Sequence, residues 1–217
     1  MVSCSRFSAG AVAGTEAGPA VTAAAVLEVE DRAGADSAVE EADLVAAAPP
    51  GAGDVKLKRI LKHLFAGHLA VMRVLPPRAM RSIELAIHKS ESMHGGQIRF
   101  AVEPALNIAA LLHEQSARQR AIEVFSQLKV WDTEHNNGVL IYLLLADRDV
   151  EIVADRGIHA RLGTAGWEPI CHEMEQAFRQ GRFEEGVIAG IKAVAGHLGR
   201  HYPATRSNEL PDKPVLL

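Results

Sequence analysis

The chain has 217 residues and a formal net charge of −4. Residues 54–217 hold 21 of the 23 basic residues and 19 of the 27 acidic ones, so the part long enough to build a core is near neutral. This balance leaves no dominant basic stripe and argues against nucleic acid as an obligate partner. No window approaches the roughly 18 uncharged apolar residues that a membrane span needs.

Residues 1–53 are predicted to form a disordered, Ala-rich, acidic extension. They include 16 alanines, eight acids, two arginines and one aromatic residue, Phe7. Such a segment has little bulky apolar surface to offset the entropy of ordering it, so we expect its removal to leave the rest of the chain folded. Residues 1–26 lack a basic start followed by a continuous apolar core, and the cytoplasm is therefore the expected location.

Residues 54–76 are predicted to form a basic amphipathic helix that follows a Pro- and Gly-rich linker. Two interpretations stay open. The helix docks its apolar side on the domain, or residues 56–73 make a weak contact with an anionic membrane surface. The irregular polar face, which contains His68 and Arg73, favours docking. The apolar residues that recur at helical spacing are Leu57, Ile60, Leu61, Leu64, Phe65 and Leu69.

Residues 77–202 alternate between helical and strand patterns. Pro77 begins a helix, Ser116 caps another, and an apolar run at 139–146 is long enough for a strand covered on both faces. Further helices are predicted from near Trp167 and from Phe183, and the tail at 203–217 shows no pattern and is predicted to be flexible. With a strand at 97–103, this order predicts an α/β fold, a three-layer α/β/α sandwich with a small mixed sheet.

A polar cluster is predicted at one end of the central hairpin. A turn at Asp147-Arg148 would pair Leu140 with Asp155 and Asn137 with Ile158. The residues before the first strand would then meet those after the second. Oxygen ligands for Ca²⁺ or Mg²⁺ are available there, from Asp132, Glu134, Asn136 and Asp155. The alternative is an anion site for phosphate or carboxylate, made by His135, Arg156 and Arg161.

A plain solvated turn explains the same cluster without any ligand, because Asn and Gly tolerate left-handed backbone. The chain has no Gly-rich phosphate loop and no nucleophile elbow, so no catalytic residue is assigned.

Three segments together identify a resemblance. They are GGQIRFAVE, NNGVLIYLLLADRDVEIVADRGI and AFRQGRFEEGVIAGIKAV. In order and spacing the region from about Arg78 to Tyr202 resembles the TPM domain, founded by thylakoid-lumen and photosystem II repair proteins. The resemblance implies an α/β/α sandwich whose loops bind calcium or another divalent cation, and acid phosphatase activity in some plant members. Asn136 stands where the family often has an acid.

Two functions are therefore predicted. The first is a domain that binds a protein partner or a small phosphorylated ligand, through a divalent cation at the hairpin end and without efficient catalysis. The alternative is a metal-assisted phosphatase. In that case Asp155 or Glu134 would help to hold the cation and Arg156 would stabilise the charge of the transferred phosphoryl group.

Overall fold

The computed structural model describes residues 52–204 and 208–217. The predicted extension lies outside these residues, apart from Ala52 and Gly53, which already belong to the first helix. No helix in the described ranges is long and apolar enough to cross a bilayer. In chain order the elements are α1 (Ala52–Phe65), α2 (His68–Val74), α3 (Pro77–Glu91), β1 (Gln97–Glu103), α4 (Ile108–Leu112), α5 (Ala117–Gln127), β2 (Gly138–Leu144), β3 (Asp149–Ala154), α6 (Arg156–Leu162), α7 (Glu168–Arg179), α8 (Phe183–His201) and β4 (Val215–Leu216).

Within the described residues the sheet has four strands, in the order β3-β2-β1-β4. β1 runs parallel to β2 and to β4, while β2 and β3 form an antiparallel hairpin. Every residue of β2 is buried. A central strand that is covered on both faces needs apolar side chains on both, which explains the unbroken apolar run at this point of the sequence.

Helices cover both faces of the sheet, and this confirms the predicted three-layer α/β/α sandwich. Alternate residues of each strand point to opposite faces, so Phe100 and Ile141 belong to one core cluster while Ala101 and Tyr142 belong to the other. The first cluster takes its helical side chains from α2, α3, α6, α7 and α8. The second takes them from α4 and α5, and Ile60 of α1 packs against it.

The hairpin register differs from the predicted one by two residues. Leu140 pairs with Val153 instead of Asp155, and Leu144 pairs with Asp149. The cause is the turn, which takes the four residues 145–148 instead of two and places Arg148 in the left-handed region with φ 53°. A shift of two residues preserves the face of every side chain, so the predicted core is unaffected.

The segment predicted as one helix at 54–76 is divided into α1 and α2 around Gly67. The expectation that its apolar side docks on the domain is wrong for most of the predicted stripe, although Val71 and Leu75 of the same segment are buried in the core. Ile60 is partly buried against the core, whereas five other apolar residues of the predicted stripe are exposed. Those five are Leu57, Leu61, Leu64, Phe65 and Leu69.

The end of the chain covers the β1 edge of the sheet, in contrast to the flexible tail predicted over 203–217. The side-chain oxygen of Gln97 accepts hydrogen bonds from the backbone amides of Glu209 and Leu210, at 2.9 and 3.1 Å. The amide of Leu217 donates to the carbonyl of Val102 at 3.0 Å. An unpaired strand edge is a liability for association, and this segment removes it.

Candidate functional site

The hairpin brings the two predicted polar segments to one end of the sheet. The amide of Asp155 donates to the carbonyl of Gly138 at 2.9 Å, and that of Ile158 donates to the carbonyl of Asn136 at 3.3 Å. Residues 155–161, the polar segment that follows the second strand of the hairpin, are the N-cap and body of α6. We call the loop 131–137, Asp155 with α6, and Tyr202 the hairpin-end site.

Gly157 allows the loop to lie against α6. A Cβ atom at this position would stand 2.5 Å from the carbonyl oxygen of Asn136 and 2.9 Å from that of His135. Both distances are shorter than any carbon–oxygen contact that real side chains make, and both neighbours are backbone atoms that cannot swing away. Only glycine permits this approach of a helix to two loop carbonyls.

The two side-chain oxygens of Asp155 differ in their hydrogen bonding. Its Oδ1 accepts the hydrogen bond of the Arg156 amide at 2.7 Å, which makes it the N-cap of α6. Its Oδ2 is buried and has no hydrogen-bond partner among the described residues. A buried carboxylate oxygen without a partner is costly, and a bound cation or water is the usual way in which proteins remove that cost.

Asn137 repeats this pattern in the loop. It is fully buried, and its Nδ2 donates to the carbonyl of Gly95 at 2.8 Å. Its amide donates to Thr133 Oγ1 at 3.1 Å, while its Oδ1 has no partner in the described part of the chain. The sequence placed Asn137 in the polar cluster without singling it out as a ligand. The available signal was its position directly before a strand that is buried throughout.

The other predicted cation ligands have different surroundings from Asp155. Asp132 and Glu134 are exposed, and the amide of Glu134 is held by the carboxylate of Glu209 at 2.9 Å. Asn136 adopts φ 50°, and its Oδ1 accepts a long hydrogen bond of 3.4 Å from Arg156 Nε. Within residues 52–204 and 208–217 no group of three or more His, Cys, Asp or Glu side chains is arranged to hold a metal ion.

The predicted anion ligands lie on the exposed surface of the hairpin-end site. His135, Arg156 and Arg161 are all exposed. The guanidinium of Arg161 lies over the ring of Tyr202, 5.2 Å from its centroid, a cation–π contact. Burial raises the pKa of Tyr202; Arg161 opposes this rise and the charge of Asp155 adds to it.

Tyr202 is a member of the site that the sequence did not indicate. Its carbonyl accepts the amide of Gly95 at 3.2 Å, which ties the end of α8 to the residues before β1. Its hydroxyl also lies 3.0 Å from the Cβ position of Gly157. No local pattern marks a tyrosine at a helix end as part of a site 45 residues away, because only the folded chain brings them together.

Comparison with known proteins gives one family, and the similar solved structures include two NMR structures. A family model described as the TPM domain matches residues 72–197, more than half of the chain. The NMR structure of BA42 from the psychrophilic bacterium Bizionia argentinensis is 28% identical, with a TM-score of 0.58, and the match covers 64% of this chain and 93% of BA42. The NMR structure of the N-terminal domain of a P. gingivalis protein is 21% identical, with a TM-score of 0.46, and the match covers 57% and 76%. No curated protein matches the chain.

Proposed function

Since this chain belongs to the TPM domain family, we propose that it is a binding domain that uses a divalent cation at the hairpin-end site to hold a ligand or partner, without efficient catalysis. Asp155 and Asn137 would be the side chains that hold the ion. The supporting observation is that each has a buried oxygen with no partner among the described residues.

The chemistry of these donors suits Ca²⁺ or Mg²⁺. Both are hard cations that take oxygen ligands, and a carboxylate, an amide oxygen and water supply them. A site with a single buried carboxylate has a low ligand charge, so we expect a dissociation constant on the order of 10⁻⁴–10⁻³ M. When bound, the cation would supply positive charge beside Arg156 and Arg161, and an anionic group of the ligand is what such a surface attracts.

Titration calorimetry of the full chain with Ca²⁺, Mg²⁺ and Mn²⁺ tests this proposal. Asp155→Asn is the informative variant, because asparagine keeps the N-cap acceptor and the side-chain volume while it removes the charge. Asp132→Asn is the matched control, since Asp132 is an exposed carboxylate in the same loop. We expect Asp155→Asn to abolish binding and Asp132→Asn to retain it. If millimolar ion produces neither heat nor a shift in melting temperature, the proposal of a bound cation is wrong.

The same proteins decide between binding and metal-assisted phosphate ester hydrolysis. We expect no metal-dependent turnover of an aryl phosphate. Turnover that Asp155→Asn abolishes and Asp132→Asn retains would replace the binding proposal with the hydrolytic one. Turnover that is unchanged in both variants would come from another site or from a contaminant.

A further inference from the structure

The exposed surface of α1 and α2 carries several large apolar side chains. Phe65 and Leu69, which flank the junction of the two helices, are 84% and 82% exposed. We call this surface the α1–α2 apolar face. It is formed by Leu57, Leu61, Leu64, Phe65, Leu69 and Met72. Single exposed apolar residues need no explanation, but six on two consecutive helices mark an interaction surface.

Polar contacts on the opposite side of α1 hold this face outward. Arg59 donates to the carboxylate of Asp147 and to the carbonyl of Gln115, both at 3.0 Å. His63 is buried, and its Nδ1 accepts the amide hydrogen of Leu106 at 2.9 Å. Turning the apolar residues inward would break these contacts, so their exposure follows from the way in which the helix is docked.

Positive charge accompanies the apolar face. Residues 54–89 hold eight basic and two acidic residues in a chain whose net charge is −4. Lys62 and Arg73 are exposed on α1 and α2. Arg81 and Lys213, with one acidic residue, Glu84, line a groove of about 460 Å³ that also includes Met72 of the apolar face. Cations that flank a row of large apolar side chains are the arrangement found in helices that lie in a lipid interface.

We infer that the α1–α2 apolar face docks on an anionic lipid surface. Phe65 and the leucines would enter the boundary between headgroups and acyl chains, while Lys62, Arg73 and Arg81 would contact lipid phosphates and carboxylates. A second copy of the chain is a poorer occupant, because it would bring the same cations against each other. Residues 1–51 carry the opposite charge, and the experiment distinguishes them from lipid.

Flotation of the full chain with vesicles tests the inference. The vesicles are phosphatidylcholine alone, or phosphatidylcholine with roughly one third phosphatidylserine. We expect binding only to the anionic vesicles, weakened between about 0.1 and about 0.5 M salt. Phe65→Ser/Leu69→Ser should lower binding at least about tenfold, because two apolar side chains no longer enter the interface. Leu85→Ser/Met93→Ser is the matched control, since these residues are also exposed, at 68% and 62%, but lie on or beyond α3.

Four results would overturn the inference. One is equal binding to neutral vesicles, and another is unchanged binding by Phe65→Ser/Leu69→Ser. The third is that the full chain does not bind the vesicles whereas a chain that starts at Ala52 does. This result would mean that residues 1–51, and not lipid, occupy the face in the full chain. The last is a dimer in solution that Phe65→Ser/Leu69→Ser dissociates while no vesicle binds, which would assign it to a second copy.

Discussion

Arg59 in the first helix and Asp147 in the turn of the central hairpin form an ion pair across 88 residues of sequence, with Nε 3.0 Å from Oδ2. His63 Nε2 lies 3.2 Å from the same oxygen, and the Asp147 side chain is almost fully buried. One carboxylate thus fixes both the position of α1 and its rotation about its own axis. Because this contact is polar, the helix is held with only Ile60 of its predicted apolar stripe packed against the core.

The Asp147 contact should matter more to stability than the apolar stripe of α1. Asp147→Asn weakens charge-assisted hydrogen bonds in a buried position, and we expect it to lower the free energy of unfolding by about 1.5–3 kcal/mol. Leu64→Gln, on the exposed side of the same helix, should change it by no more than about 0.5 kcal/mol. Urea unfolding of both variants measures the difference. An equal cost for the two would mean that Leu64 packs against the domain.

Gly157→Ala should separate the loop from α6. The added methyl group would meet the carbonyl oxygens of Asn136 and His135, and we expect a loss of about 1–3 kcal/mol in the free energy of unfolding. Gly196→Ala in α8 is the control, because a Cβ atom there meets nothing within 4 Å. That change should stabilise the protein by about 0.5–1 kcal/mol. A Gly157→Ala variant as stable as the wild type would contradict the close approach.

Ionisation of the buried Glu91 should lower the free energy of unfolding as the pH rises. Burial raises its pKa from 4.5 to about 8; the hydrogen bond from the Ile98 amide opposes this rise and the charge of Asp212 adds to it. The folded state therefore favours protonated Glu91, and its contribution to stability is complete below about pH 4.5 and is lost as the pH rises through about 8. Ionised Glu91 would repel Asp212, which contacts His88 at 2.8 Å and Asn208 at 2.9 Å. We therefore expect the loss of stability to extend to the C-terminal segment that contains Asp212.

Glu91→Gln isolates this effect, since glutamine keeps the oxygen that accepts from Ile98 and cannot ionise. We expect the variant to be clearly more stable than the wild type at about pH 9 and close to it at about pH 5. Thermal melts across this range provide the measurement. Parallel pH profiles for the two proteins would show that Glu91 is ionised in the folded state throughout.

The C-terminal segment should behave as part of the domain. Leu210 is buried in the same cluster as Ala101 and Leu140, so Leu210→Ala should cost about 2–4 kcal/mol. Leu112→Ala, at a residue that is 70% exposed, should cost no more than about 0.5 kcal/mol. Chemical denaturation compares the two. Equal and small effects would mean that residues 208–217 do not stabilise the sheet.

Local patterns were sufficient for most of the elements. Pro77 begins α3 as predicted, and Ser116 caps α5 through a full capping box with Gln119. The apolar run at 139–146 predicted a strand buried on both faces, and with the helical periods around it this predicted the three-layer sandwich. These features follow from the sequence alone because each depends on residues within one turn or one strand of each other.

Tertiary structure decided what depends on distant partners. The side of α1 that faces inward is set by Asp147, far along the chain, and helical periodicity shows only that two different sides exist. The hairpin register depends on a turn of four residues, and the last strand forms because the β1 edge lacks a neighbour. At the hairpin-end site, the sequence brought Asp155 to the correct end of the sheet. That one oxygen each of Asp155 and Asn137 lacks a partner among the described residues emerges only in the folded chain, because a hydrogen bond is missing only once the neighbours are in place.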